Sequence, residues 1–127
     1  MSQAQQRIIP IYSSRGEVEA FLVFPYLFNR GGEWIGCVTA QREVYSVMGN
    51  YVGFLTSDPR IVRRRSDDGG LRPRMQTSPP PGKLNVPVSI PLAPLMSDLT
   101  HSLVDILVEE PERLHTVDSG ELREDLD

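Results

Sequence analysis

The sequence predicts a mainly β protein: a small module of repeated antiparallel hairpins, pseudo-symmetric or barrel-like, followed by an extended proline-rich segment and a short C-terminal helix. Three observations lead there. The first half carries a repeat, the aromatic residues all precede residue 60, and the composition turns proline-rich after Arg72. The predicted organisation is a hairpin module over 1–72, an extended connector over 73–96, a docking helix over 97–110, and an acidic tail over 111–127 that stays disordered unless bound.

The repeat comes first. The segments 12–22, 28–38 and 45–55 align without gaps, with an aromatic (Tyr12, Phe28, Tyr45) four residues before a glycine (Gly16, Gly32, Gly49). A small residue follows four further on (Ala20, Gly36, Gly53), then two apolar residues in succession. A period of this length marks one supersecondary unit used three times. Each unit reads as strand, tight turn and strand, with the glycine supplying positive φ at little steric cost. Val, Ile, Tyr, Trp and Phe flank the turns, as strands prefer. The small residues sit inside outgoing strands, where glycine weakens a sheet unless a neighbour needs the space. We expect Tyr12, Phe28 and Tyr45 to pack over them. Trp34, Tyr51 and Phe54 read mainly as core or sheet-face residues.

A fourth unit is only sketched. Stepping 17 residues from Tyr45 reaches Val62, within an incoming strand Pro59-Arg-Ile-Val-Arg63, but its glycine slot is Ser66. It is either a decayed repeat or a closing strand paired with Ile8–Ile11, which would cover two sheet edges.

These features carry a resemblance. The Tyr-x-x-x-Gly-x-x-Val-Gly pattern, the stretch Val-Gly-Phe-Leu-Thr-x-Asp-Pro-Arg-Ile over 52–61 and the later Pro-Leu-Ala-Pro-Leu-Met segment resemble the bacterial four-fold beta flower proteins. That likeness covers roughly residues 8–65. It implies hairpins about a pseudo-fourfold axis and no settled activity; the faint fourth hairpin departs from the pattern. The glycine-rich hairpins are also similar to PRC-barrel domains, which implies a part in assembly and protein contacts.

After the module, Pro79–Pro81, Pro87, Pro91 and Pro94 remove backbone donors and favour an extended or polyproline conformation. Pro91-Leu-Ala-Pro94 has the PxxP form read by proline-recognising domains, although a semi-rigid connector laid across the module or a partner is the simpler expectation. Leu99, Leu103, Ile106 and Leu107 recur at helical spacing behind Ser97 as N-cap, and Pro111 would stop that helix. A β segment over 101–108 is the alternative. Pro91, Leu92, Pro94, Leu95, Leu99, Leu103, Ile106 and Leu107 are the candidate protein-docking residues.

Charge divides the chain. Ten arginines face seven acids through Met75, a net of +3, and three cations face ten acids beyond it, a net of −7. Arg60, Arg63, Arg64 and Arg65 form a candidate patch for an anionic partner, so nucleic-acid binding is the alternative function. The acidic tail opposes it. One cysteine, Cys37, allows no internal disulfide, and no apolar leader or twenty-residue apolar run is present. A reducing, cytoplasmic setting without membrane insertion is expected.

Chemistry is sparse. His101 and His115 are 14 residues apart, and no HExxH or CxxC spacing occurs. Asp98, His101 and Asp105 would share a helical face, more in keeping with a solvated surface than a metal site. Cys37 aligns with Phe21 and Phe54, the place of a packed thiol. The expectation is therefore no catalytic, cofactor or metal site, and a structural or protein-interaction module with a protein partner or a homo-oligomer, for instance an accessory subunit of a larger assembly.

Overall fold

The computed structural model describes residues 7–67, 70 and 72–118. Its eight strands run in sequential order through one antiparallel sheet curled into a half-barrel. They are β1 (Ile9–Tyr12), β2 (Val18–Val23), β3 (Tyr26–Asn29), β4 (Trp34–Val38), β5 (Glu43–Ser46), β6 (Tyr51–Leu55), β7 (Ile61–Arg64) and β8 (Leu103–Asp105). A single helical turn, α1 (Ile106–Glu109), and a 3-10 turn (Pro111–Arg113) follow.

The three repeats are three hairpins, β1–β2, β3–β4 and β5–β6, with Gly16, Gly32 and Gly49 at φ of 80°, 81° and 87°. The same bond closes each turn: the glycine N–H donates to the carbonyl three residues back, at Ser13, Asn29 and Ser46, over 2.9–3.0 Å. Tyr12, Phe28 and Tyr45 are buried. The space at Gly36 and Gly53, however, is taken by backbone and not by those rings. A Cβ on Gly36 would collide with the Tyr45 carbonyl, and one on Gly53 with the Val62 carbonyl. Tyr45 and Val62 stand 17 residues apart, so the first strand of the next hairpin presses on the glycine in both cases. The nearest contact at both glycines is therefore backbone, from Tyr45 itself at Gly36, where packing by the aromatic rings was expected.

The fourth hairpin is complete, but its strands are separated by 38 residues. β7 pairs with β6 on one side and with β8 on the other, Arg63 opposite Val104. It makes no ladder with the N-terminal strand. The chain closes on itself through single bonds instead. Carbonyls of Pro25 and Arg42 accept from Val38 and Leu55 of their own hairpins at 2.8 Å, whereas Pro59, the next in the 17-residue series, accepts from Tyr12 N–H at 3.1 Å. The returning chain of the fourth hairpin has already turned into α1 by Ile106, which leaves the Pro59 carbonyl for the first hairpin.

The expected helix over 97–110 is likewise corrected, and the alternative β segment over 101–108 is present in part as Leu103–Asp105. Residues 97–102 are extended or turn, β8 follows, and helix occupies only Ile106–Glu109. Its N-cap is Asp105, not Ser97, and the Asp105 carboxylate accepts from Leu107 N–H. Each of the eight strands gives at least one apolar side chain to one cluster that includes Ile11, Leu27, Val44, Ile61, Val104 and Ile106, with Leu114 returning to join it, while Tyr12, Phe21, Phe28 and Tyr45 are buried outside that cluster. No helix among the described residues is long and apolar enough to cross a membrane.

Candidate interaction surface on the strap

Between β7 and β8 the proline-rich segment forms a strap that visits the three hairpin turns in reverse order. Met75 N–H donates to the Gly49 carbonyl at 2.8 Å, and Leu84 N–H to the Gly32 carbonyl at 2.9 Å. Ala93 then lies beside Gly16, and the Tyr12 hydroxyl donates to the Pro91 carbonyl at 2.7 Å. The three visits are nine residues apart, and from Leu84 to Ala93 that interval equals three turns at the three-residue period of a polyproline helix.

Burial confirms that geometry. From Leu84 to Leu99 every third residue (Leu84, Pro87, Ile90, Ala93, Met96, Leu99) is half-buried, and from Pro87 onward the two residues between are exposed. One line of side chains therefore rests on the module and two point away. The outward lines carry Val88, Pro91 and Pro94 on one side and Ser89, Leu92 and Leu95 on the other. Val88, Leu92 and Leu95 are 106%, 94% and 103% exposed.

Polar clamps fix the strap at its ends. Arg72 lies 3.9 Å over the Tyr51 ring and pairs with Glu43 at 3.3 Å and Asp67 at 3.1 Å. Thr77 donates its hydroxyl to the Val47 carbonyl at 2.7 Å. On the return, Arg60 donates to the Ser97 carbonyl at 3.0 Å, and Arg65 to the His101 carbonyl at 2.9 Å.

Those clamps correct the predicted arginine patch. Arg60 is buried, held by the Asp58 carboxylate and the Ser14 hydroxyl as well as by Ser97. Arg63 is buried and forks onto both Glu110 oxygens at 2.8 Å. Arg64 and Arg65 remain exposed. Burial pushes the Asp58 carboxyl up, but hydrogen bonds from Arg60 and Thr56 with the Arg60 charge bring it below the usual carboxylate range. The Arg63 hydrogen bonds hold Glu110 low against its desolvation, aided by Arg113. Guanidinium groups so committed have little left to offer a phosphate.

The predicted docking residues divide in two. Pro91, Leu92, Pro94 and Leu95 face solvent on the strap, while Leu99, Leu103 and Leu107 are half-buried and Ile106 is fully buried in the core. Asp98, His101 and Asp105 share no helical face, because Asp98 and His101 are exposed and Asp105 is buried, accepting from Ser14 N–H at 2.7 Å. A polar cleft of about 430 Å³ lies at the seam between the first and fourth hairpins, lined by Ser14, Arg60, Ser97, His101 and Asp105 among others. Among the described residues no three His, Cys, Asp or Glu side chains are placed to hold a metal ion, and no buried side-chain polar atom lacks a partner. Cys37 is buried, and burial pushes its thiol up from the ordinary value. The tail expected to be disordered over 111–127 is corrected at its start, where Pro111–Arg113 form the 3-10 turn and Leu114 is buried, and residues 119–127 lie outside the described residues.

Sequence reasoning expected a connector laid across the module or a partner, but missed the register that seats it on the three turns. The signal was present in the apolar residues at 84, 87, 90, 93, 96 and 99, a period of three that a search for helical or strand spacing passes over. Compared with known proteins, the chain matches no protein family, no curated protein and no solved structure at a significant level.

Proposed function

We propose that this chain is a non-enzymatic protein-interaction module, an accessory part of a larger assembly, that offers the outward face of its strap to a partner. The carrying observation is the exposure of Val88, Leu92 and Leu95 on a segment whose inward residues are seated on the hairpin turns. A surface of this kind gains from being covered, since a fully buried leucine contributes about 1.5–3 kcal/mol. A strap already tied by hydrogen bonds to the hairpin turns loses little further freedom on binding. From Leu84 through Ser97 it carries no charged side chain, so the contact is apolar in character.

Nucleic-acid binding has less in its favour, because two of the four arginines it would use are buried in internal pairs. Membership of the four-fold beta flower group is proposed on the same build, four successive hairpins about one core. A reducing compartment suits the single buried thiol.

The test is purification of the full chain from its source cell under gentle conditions, beside the double variant Leu92→Asp/Leu95→Asp. Wild type is expected to travel in a stoichiometric complex, with its own kind or another protein, and the variant alone. Equal recovery of the complex by both would remove the strap from the interface.

A further inference from the structure

One aromatic position of the repeat is left open. Phe54 stands where Phe21 and Cys37 stand in the first two hairpins. Those two are 1% and 7% exposed, whereas Phe54 is half-buried. It borders a hollow of about 720 Å³ with mainly apolar walls, wider than the polar cleft at the seam. Small-molecule sites usually enclose about 300–1,000 Å³ and combine apolar walls with a few polar groups.

Strand register decides what gathers there. Phe54 is opposite Val62 in β7, and Arg64, two residues on, is opposite Leu103 in β8. Residues two apart along a strand share a face, so Phe54, Arg64 and Leu103 lie on one side of the sheet. Arg65 and His101 border the same hollow, and no described residue around it is a carboxylate. Arg65 is fixed in place: its guanidinium donates to the His101 carbonyl at 2.9 Å and to the Leu103 carbonyl at 3.4 Å, beside Glu109 at 3.9 Å. Those two bonds use Nε and Nη2 and leave Nη1 for a ligand. Arg64 is exposed, and its side chain has no bond or ion pair among the described residues. The acids on its other side, Glu43 and Asp67, are both engaged by Arg72.

We infer that this hollow binds a small aromatic phosphate of the size of a mononucleotide, its ring on Phe54 and its phosphate among Arg64, Arg65 and His101. Two guanidinium groups and an imidazole with no carboxylate beside them select an anion, and the planar guanidinium fork matches phosphate oxygens. Phe54 and Leu103 supply the apolar surface, and an aromatic ring takes any base by its π-face. A nucleotide within a strand carries the same groups, but a strand needs further cations along its path. Arg60 and Arg63 are committed to Asp58 and Glu110 and cannot supply them. The site goes beyond the strap reading and does not depend on it, since none of the strap's outward residues borders the hollow.

NMR titration of the full chain with AMP, adenosine, inorganic phosphate and a short single-stranded oligonucleotide tests the site. AMP is expected to bind with a Kd tighter than about 1 mM, and adenosine and phosphate alone about tenfold more weakly. The amide shifts should centre on Phe54, Arg64 and His101. Arg64→Gln should weaken AMP by about tenfold, and Phe54→Leu, which keeps an apolar side chain, by about fivefold. If Phe54→Leu fails to fold, Arg65→Gln takes its place beside the exposed Arg64→Gln. The strap variant Leu92→Asp/Leu95→Asp should bind AMP as wild type does, so the two readings stand or fall separately. No AMP binding above about 1 mM, equal affinity for adenosine, or unchanged affinity in Arg64→Gln would overturn the inference. An oligonucleotide that binds more tightly than AMP at the same residues would overturn it in favour of a nucleic-acid site.

Discussion

Leu84 donates its backbone N–H to the Gly32 carbonyl at 2.9 Å, and its own carbonyl occupies the space where a Cβ on Gly32 would lie. The strap is thus read by a bare turn, with no side chain between the two backbones. Met75 repeats the arrangement at Gly49.

Substitution of these glycines should therefore be costly in graded order. Gly32→Ala combines positive φ with a backbone collision and is expected to lose about 2–3 kcal/mol or to release the strap. Gly16→Ala meets only the Ala93 methyl at 3.9 Å and should lose about 1 kcal/mol, from φ alone. Urea unfolding of both variants checks the ranking, and equal losses would contradict it.

Arg63 and Glu110 tie β7 to the chain after α1. Arg63→Ala leaves Glu110 with Arg113, 2.8 Å away, so the loss should fall below that of a wholly buried pair, at about 2 kcal/mol. Replacing both partners by methionine should cost less than the single change. A thermal melt of the three proteins decides it.

Acid sensitivity follows from the same groups. Asp58 and Glu110 are both held below the usual carboxylate range in the folded chain. A depressed folded pKa contributes stability above the unfolded value, near pH 4, that is lost as pH falls through the folded value. Stability should hold from neutral pH to about pH 5 and decline below about pH 4. Glu110→Gln should flatten that decline in denaturant titrations at several pH values; an unchanged slope would remove Glu110 from the account.

Tyr12 contributes a single hydroxyl to the strap. Tyr12→Phe keeps the buried ring and removes the bond to Pro91, a loss of about 1 kcal/mol. The strap should loosen around Pro91, read as faster radical labelling of the half-buried Ile90 side chain, while amide exchange in β3–β6 stays as in wild type.

Much of this fold was legible in local sequence, and the remainder was not for identifiable reasons. Gly16, Gly32 and Gly49 announced three hairpins because each turn lies within a few residues of both its strands. The second strand of the fourth hairpin could not be found that way, since Leu103–Asp105 meets β7 only after a 38-residue detour. Leu99, Leu103, Ile106 and Leu107 imitated a helix although three structures supply them: the end of the strap, a strand and one helical turn. Arg60 and Arg63 looked like surface charge because their partners Ser97 and Glu110 are 37 and 47 residues away. Of the candidate surface, Pro91, Leu92, Pro94 and Leu95 were visible beforehand; the seating that turns them outward was not.

The most direct measurement is side-chain radical footprinting of the protein in its native assembly, set against the dissociated chain. Covering of the strap predicts that Leu92 and Leu95 are strongly protected in the assembly, while Ile90 and Met96, already turned toward the module, change little. Labelling of Leu92 and Leu95 at the same rate in both states would contradict the claim that the outward face of the strap is where this protein meets its partner.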